Sequence, residues 1–334
     1  MARPERPWLR GLLLLGALPL FAAETAYQLP PIPEPEGEER RIPLLERELA
    51  WFLERLQGTW DNQEQVSWAG DHQLPMPPRF YLRAEPLPAQ ALPGDVGAAV
   101  LVTQQRTANA SRLWTINADE DAHALRIRTH ALRRPVTLKD GATPELPRLR
   151  RRDLIDQPAC EWLAYRDGDG FRLEAAGADG CADATVMPVR VLRDELWLPN
   201  NAAAAGLAGA APTLRLERAR WFACMLDVPP EPGARPTRTA RYFTLYDQGG
   251  TLAFTHPDGR PMTLLMRNTW SYGMQRETFF IGVLDGSVTG PTLVYAWGEP
   301  GADRIGVNPG YLRVQCDRDT PRMRQAQHRL RPSS

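Results

Sequence analysis

Short runs of strictly alternating apolar and polar residues, separated by tight-turn signals, constrain this chain more than any other feature. Leu125-Arg-Ile-Arg-Thr, Val189-Arg-Val, Leu214-Arg-Leu-Glu, Tyr242-Phe-Thr-Leu-Tyr and Leu312-Arg-Val-Gln-Cys all follow period two. Such runs place one face on a core and one outward. Asp167-Gly168, Gln248-Gly249-Gly250 and Pro257-Asp258-Gly259 read as hairpin turns between them. Only one helix is clearly written. Leu45, Leu49, Phe52, Leu53 and Leu56 share a helical face, with Pro43 near the start and Gly58 past the end. Many short strands and one helix predict an antiparallel all-β sandwich or barrel, with the helix packed on the open end or flank of a sheet.

The N-terminus has the layout of an export signal. Arg3, Arg6 and Arg10 precede the apolar run Leu12 to Ala23, which is too short to span a bilayer. Small residues at 22–26 offer an approximate cleavage zone. The expected organisation is a signal peptide over 1–25 and a proline and acid tether over 26–43. One barrel domain over 44–318 and a polar tail over 319–334 complete it. Residues 84–97, 133–158, 199–213 and 228–240 read as loop insertions in that barrel. No later stretch reaches the length of a membrane span, and the predicted location is the periplasm or cell envelope.

The full chain carries 40 basic and 40 acidic side chains, and loss of residues 1–23 leaves 37 against 39. That balance excludes a protein built to hold nucleic acid, which needs a basic surplus. No G-x-S-x-G or H-E-x-x-H motif is present, so a hydrolase of those types is not indicated. Cys160, Cys181, Cys224 and Cys316 form an even set, and four cysteines permit three pairings. Sequence order favours Cys160–Cys181, which brackets the hairpin around Asp167–Gly170, and Cys224–Cys316. A zinc site lacks its usual C-x-x-C spacing, and no metal is expected.

The stretch Leu53-Glu-Arg-Leu-Gln-Gly-Thr-Trp-Asp-Asn-Gln-Glu-Gln-Val resembles the opening of the CpcT/CpeT chromophore lyase family. Further elements follow in that family's order: Ser111-Arg112-Leu113-Trp114, then Cys160, Gly170-Phe171 and Cys181. Arg220-Trp-Phe-Ala-Cys224, Tyr246-Asp-Gln-Gly-Gly250, Leu264-Leu-Met-Arg267, Trp297, Arg304-Ile-Gly-Val-Asn308 and Cys316 continue it. The resemblance runs from about 45 to 318. It implies a calycin-like, lipocalin-related barrel with a conical cavity. It also implies attachment of a linear tetrapyrrole, a phycobilin, to a cysteine of an acceptor protein through a thioether. Such a protein holds the bilin, polarises its conjugated system and presents its ethylidene carbon to a thiolate. No additional cofactor is required.

For that chemistry, Arg112 and Arg267 are candidates to bind carboxylates, Trp114 and Tyr246 to stack, and Asp247 to contact protonated nitrogens. Asn62 and Gln65 would hydrogen-bond a ligand or pin the barrel mouth, since polar amides in a strand need partners. Each has a structural alternative. Trp60, in Gly58-Thr59-Trp60, resembles the tryptophan that plugs a lipocalin barrel. Trp114 and Trp297 fit packing better than stacking, because buried aromatics dominate β cores, and Asp247 would cap a hairpin turn. Catalytic residues are not assigned. The alternative function is a non-enzymatic envelope protein that uses the barrel to bind a carboxylated apolar ligand or a partner chain.

Overall fold

The computed structural model describes residues 44–88, 97–105, 110–136, 146, 149–176, 187–200, 212–229, 240–271 and 273–320. The chain is mostly antiparallel β, as its alternation demands. Ten strands close into a barrel: β1 (Gly58–Asp61), β2 (Tyr81–Leu87), β3 (Ala98–Gln105), β4 (Ala110–Asp119), β5 (Ala124–Leu132), β6 (Leu154–Asp167), β7 (Gly170–Ala175), β8 (Arg190–Val191), β9 (Glu195–Pro199) and β10 (Thr213–Ala219). Neighbours in the ring are neighbours in sequence, except that β1 closes it by pairing with both β2 and β10. Asp167 and Gly170 face each other across the β6–β7 turn, with Gly168 at φ +61°.

The barrel interior is filled by side chains. Trp60, Leu82, Val100, Trp114, Ile127, Trp162, Phe171 and Leu216 belong to one continuous buried cluster. The expected helix is present as α1 (Leu44–Leu56), whose Phe52 and Leu56 enter that cluster. Phe52 meets Phe171 edge to face with centroids 5.1 Å apart. Trp60 is completely buried and donates its Nε1–H to Leu56 O at 2.9 Å, while Arg218 stacks 4.6 Å from its ring. This tryptophan is core, as the second reading of Gly58-Thr59-Trp60 has it.

The strands from Trp221 onward build two four-stranded sheets. One has the order β12 (Arg241–Tyr246), β11 (Trp221–Asp227), β18 (Arg313–Arg318), β17 (Arg304–Val307). The other runs β13 (Gln248–Thr255), β14 (Pro261–Ser271), β15 (Arg276–Asp285), β16 (Thr292–Gly298). Their facing sides share a second core containing Phe222, Leu264, Met266, Phe279, Ile281 and Val314. Cys224 and Cys316 are direct cross-strand partners on β11 and β18 and form a disulfide. Cys181 lies outside the described residues, and so does the Cys160–Cys181 pairing.

Two local expectations are corrected. Tyr246-Asp-Gln-Gly-Gly250 is not a hairpin: β12 and β13 belong to different sheets, and the chain crosses between them at Asp247. Pro257-Asp258-Gly259 does turn β13 into β14, with Gly259 at φ +88°. Asn62 and Gln65 are not strand residues either. They open a second helix, α2 (Gln63–Asp71). The Asp61 carboxylate accepts the Gln63 amide at 2.9 Å, which satisfies a free N–H of the first turn. Among the described residues, no helix is long and apolar enough to cross a membrane.

Candidate functional site

Helix α2 fills the seam between the barrel and the β13–β16 sheet, and it shapes a cleft of about 520 Å³. Glu64, Gln65, Ser67, Trp68 and Asp71 line it from the helix, Arg215 and Glu217 from β10, Thr269 and Trp270 from β14, and Glu277 from β15. Glu64, Trp68 and Asp71 stand at i, i+4 and i+7 on α2 and therefore share one helical face. Gln65 locks the helix to the barrel: its Nε2 donates to Thr213 O at 3.0 Å, and its Oε1 accepts from Arg215 N at 3.0 Å. Trp68 is 50% exposed, with its ring packed against His72 at a centroid distance of 4.2 Å, and Trp270 is 39% exposed.

Two half-buried glutamates, Glu64 and Glu217, line the cleft together with the exposed Glu277. Glu64 and Glu217 hydrogen-bond to each other, and Gln248 extends its side-chain amide to Glu64. Burial pushes the Glu64 carboxyl up to about 9, helped by the adjacent charges of Glu217 and Glu277. Burial raises Glu217 as well. Burial and the neighbouring carboxylates all disfavour ionisation of Glu64, which favours its neutral form at neutral pH. Arg215 opposes the rise of Glu217, while Glu195 engages its guanidinium at 2.8 and 2.9 Å.

Beside the cleft lies a buried junction that holds barrel and sheets together. Arg79 grips Asp61 and also donates to Gln248 O at 2.8 Å, and Tyr246 Oη donates to Asp61 Oδ2 at 3.2 Å. Asp247 accepts Arg220 N at 2.7 Å and Arg220 Nε at 2.5 Å, with Asn268 Nδ2 at 3.4 Å. Burial raises the Asp247 carboxyl, and Arg220 opposes that rise.

The residues expected to bind ligand are spread over three places. Gln65 lines the cleft. Arg267 reaches its wall, donating Nη1–H to Ser67 Oγ at 3.2 Å. Asn62, Tyr246 and Asp247 belong to the junction, where Asn62 bridges Pro78 O and Phe80 N at 2.8 and 2.7 Å. Trp114 is fully buried in the barrel core, and Arg112 is a half-buried β4 residue whose Nη1 donates to Ser111 O. The alternation of β4 gave Trp114 its inward face. Glu64, Trp68, Glu217, Trp270 and Glu277 were not anticipated. The i, i+4, i+7 spacing of Glu64, Trp68 and Asp71 was the available signal for the helical part.

Among the described residues, no group of three or more His, Cys, Asp or Glu is placed to hold a metal ion. Comparison of the chain with protein-family models, curated proteins and solved structures gives no match.

Proposed function

We propose that this chain is an envelope protein of chromophore-lyase type, which holds a linear tetrapyrrole in the α2–β10–β14 cleft and presents it to a cysteine of a partner protein. The observation that carries this reading is one cavity lined by two part-exposed tryptophans and by two glutamates whose ionisation burial disfavours. Trp68 and Trp270 suit the pyrrole faces, and the glutamates suit the pyrrolic N–H groups. Arg267 stands at the wall for a propionate. A cleft of about 520 Å³ falls within the range that binds drug-sized ligands. The Cys224–Cys316 disulfide supports an oxidising compartment.

In the transfer step the acceptor's S–H would add across the ethylidene C=C. Sulfur bonds to the ethylidene carbon, the proton passes to the conjugated system, and nothing is oxidised or reduced. A neutral Glu64 is suited to polarise that system through a hydrogen bond.

A second reading, a carrier without transfer, draws support from the cysteines: none among the described residues is free, so the chain offers no thiolate there for an adduct of its own. Absorbance titration with a phycobilin, followed by addition of an acceptor protein with a free cysteine, separates the two. A covalent product on the acceptor supports the lyase. Saturable binding without transfer supports the carrier. No spectral change with any tetrapyrrole removes both.

A further inference from the structure

We infer that the outer face of β16 is a binding site for a neutral oligosaccharide, stacked on the exposed rings of Tyr295 and Trp297. It is separate from the α2–β10–β14 cleft, none of whose lining residues lies on β16.

Period two turns Val294 and Ala296 toward the second core and leaves Leu293, Tyr295 and Trp297 on the opposite side of β16. Tyr295 is 57% exposed and Trp297 is 40% exposed. The register fixes what lies beside them: Tyr295 is opposite Gly282 on β15, and Trp297 is opposite Phe280. A Cβ at Gly282 would meet the Phe280 ring at 2.5 Å, so the missing side chain is what lets that ring lie down along its own strand. Phe280 is only 7% exposed, with Tyr295 at 6.2 Å and Trp297 at 4.8 Å between centroids. A glycine inside a strand weakens it, and one covering ring compensates. Phe280 supplies that cover. Tyr295 and Trp297 form a second layer over it, 5.7 Å apart with their planes at 66°. Trp297, which the sequence places in the packing, thus rests against Phe280 and still meets water.

Charge, size and openness together select the occupant. No ionisable acid or base stands on β16 apart from the Tyr295 phenol. Arg276 beside the patch is held by Glu299 at 2.9 Å, and Arg267 is turned to Ser67 with the charge of Asp71 close by. Arg267 also lies 5.7 Å from the Phe280 ring, so that ring already has its cation. The ligand is therefore neutral. A stable protein interface takes about 20–30 residues a side, whereas this patch offers three side chains of one strand. An apolar small molecule needs enclosure, and these rings stand on an open sheet face. A sugar meets all three conditions. Its C–H bonds are slightly positive and stack on the negative face of an aromatic ring, while its hydroxyls stay hydrated on the far side. Tyr295 O–H and Trp297 N–H can donate to hydroxyls at the rim. Two rings set at an angle suit two consecutive sugar rings turned against each other.

The test is calorimetric titration of the full chain with maltohexaose, cellohexaose and chitohexaose. The expected result is saturable binding of at least one of them. Tyr295→Ala and Trp297→Ala should each weaken it about two- to tenfold, the worth of one aromatic contact, and the double variant should abolish it. Trp297→Phe keeps a stacking face and should retain binding. Thermal melts on every variant identify those that fold, and Tyr295→Ala with Trp297→Phe carry the test if Trp297→Ala does not. No binding of any of the three sugars, or binding that the double variant leaves unchanged, overturns the inference. Self-association of the chain that the double variant abolishes would make this face a contact between copies. Binding to phosphatidylcholine vesicles that the double variant abolishes would make it a membrane contact. Either result also overturns the glycan assignment, and none of these outcomes bears on tetrapyrrole binding in the cleft.

Discussion

Arg79 holds the fully buried carboxylate of Asp61 with two hydrogen bonds, Nε to Oδ1 at 2.6 Å and Nη2 to Oδ2 at 2.8 Å. Asp61 ends the first barrel strand, and Tyr246 reaches the same carboxylate from the second set of sheets. One ion pair thus sits where the two cores meet. Removing one partner leaves a buried charge uncompensated, so Arg79→Ala should cost about 3–5 kcal/mol in urea unfolding. Replacing both residues with apolar ones should recover part of that loss. A cost near zero for Arg79→Ala would show that the junction is held by its aromatic contacts, Tyr81 and Trp221 against Tyr246, instead.

The Cys224–Cys316 disulfide closes a sequence separation of 92 residues across β11 and β18. Chain-entropy arguments give such a loop about 4–5 kcal/mol of stabilisation. Both sulfurs lie in the second core, away from the barrel's tryptophans. Reduction should therefore lower the unfolding midpoint strongly, and hydrogen exchange should rise in β11 and β18 before it rises in β4 or β5. Non-reducing peptide mapping should recover the linked 224 and 316 peptides, and two free thiols there would contradict the pairing.

The elements easiest to read from the sequence were those whose pattern is local. The alternation of Leu125-Arg-Ile-Arg-Thr marks β5 because Leu125 and Ile127 point into the barrel core. The α1 stripe is legible for the same reason. Barrel closure is not local: it depends on Trp60 pairing with both Leu82 and Arg218, and no period encodes a register across that distance. Helix α2 escaped because Gln63–Asp71 is short and mostly polar, so its stripe is weak beside that of α1. The acid cluster escaped because Glu64, Glu217 and Glu277 come from three separate elements. Arg83 and Glu85 show a further limit. The proline- and alanine-rich stretch 84–97 reads as a loop insertion, yet its first residues continue β2 to Leu87. There Arg83 and Glu85 form a buried ion pair, with Arg83 5.5 Å from the Trp221 ring.

Two tryptophans should separate packing from binding. Trp60 is completely enclosed in the barrel core, so Trp60→Ala should cost about 3–5 kcal/mol through lost contacts and a cavity. Trp270 stands 39% exposed at the cleft mouth, and Trp270→Ala should change stability by no more than about 0.5 kcal/mol. Ligand affinity should show the opposite order, with Trp270→Ala the more damaging of the two in whatever fraction of the protein is folded. Thermal melts and a ligand titration on the same two variants check this. Equal stability losses would place Trp270 in the packing rather than the site.

Glu64 makes stability depend on pH in a predictable direction. Its folded-state value of about 9 lies above the ordinary 4.5, because burial and the charges of Glu217 and Glu277 disfavour ionisation. Between those values the folded chain binds more protons than the unfolded chain, so the slope of stability against pH is negative. The contribution is fully present below pH 4.5 and is lost as pH rises toward 9. Glu217, shifted in the same direction, adds to the trend. Glu64→Gln removes the proton-dependent part while keeping the shape and a hydrogen-bonding amide. The variant should therefore gain stability relative to the parent as pH rises from 5 to 9, by at least about 1 kcal/mol at the upper end. Parallel urea titrations of the two proteins at several pH values measure that difference directly. A gap that stays constant with pH would mean that Glu64 ionises normally.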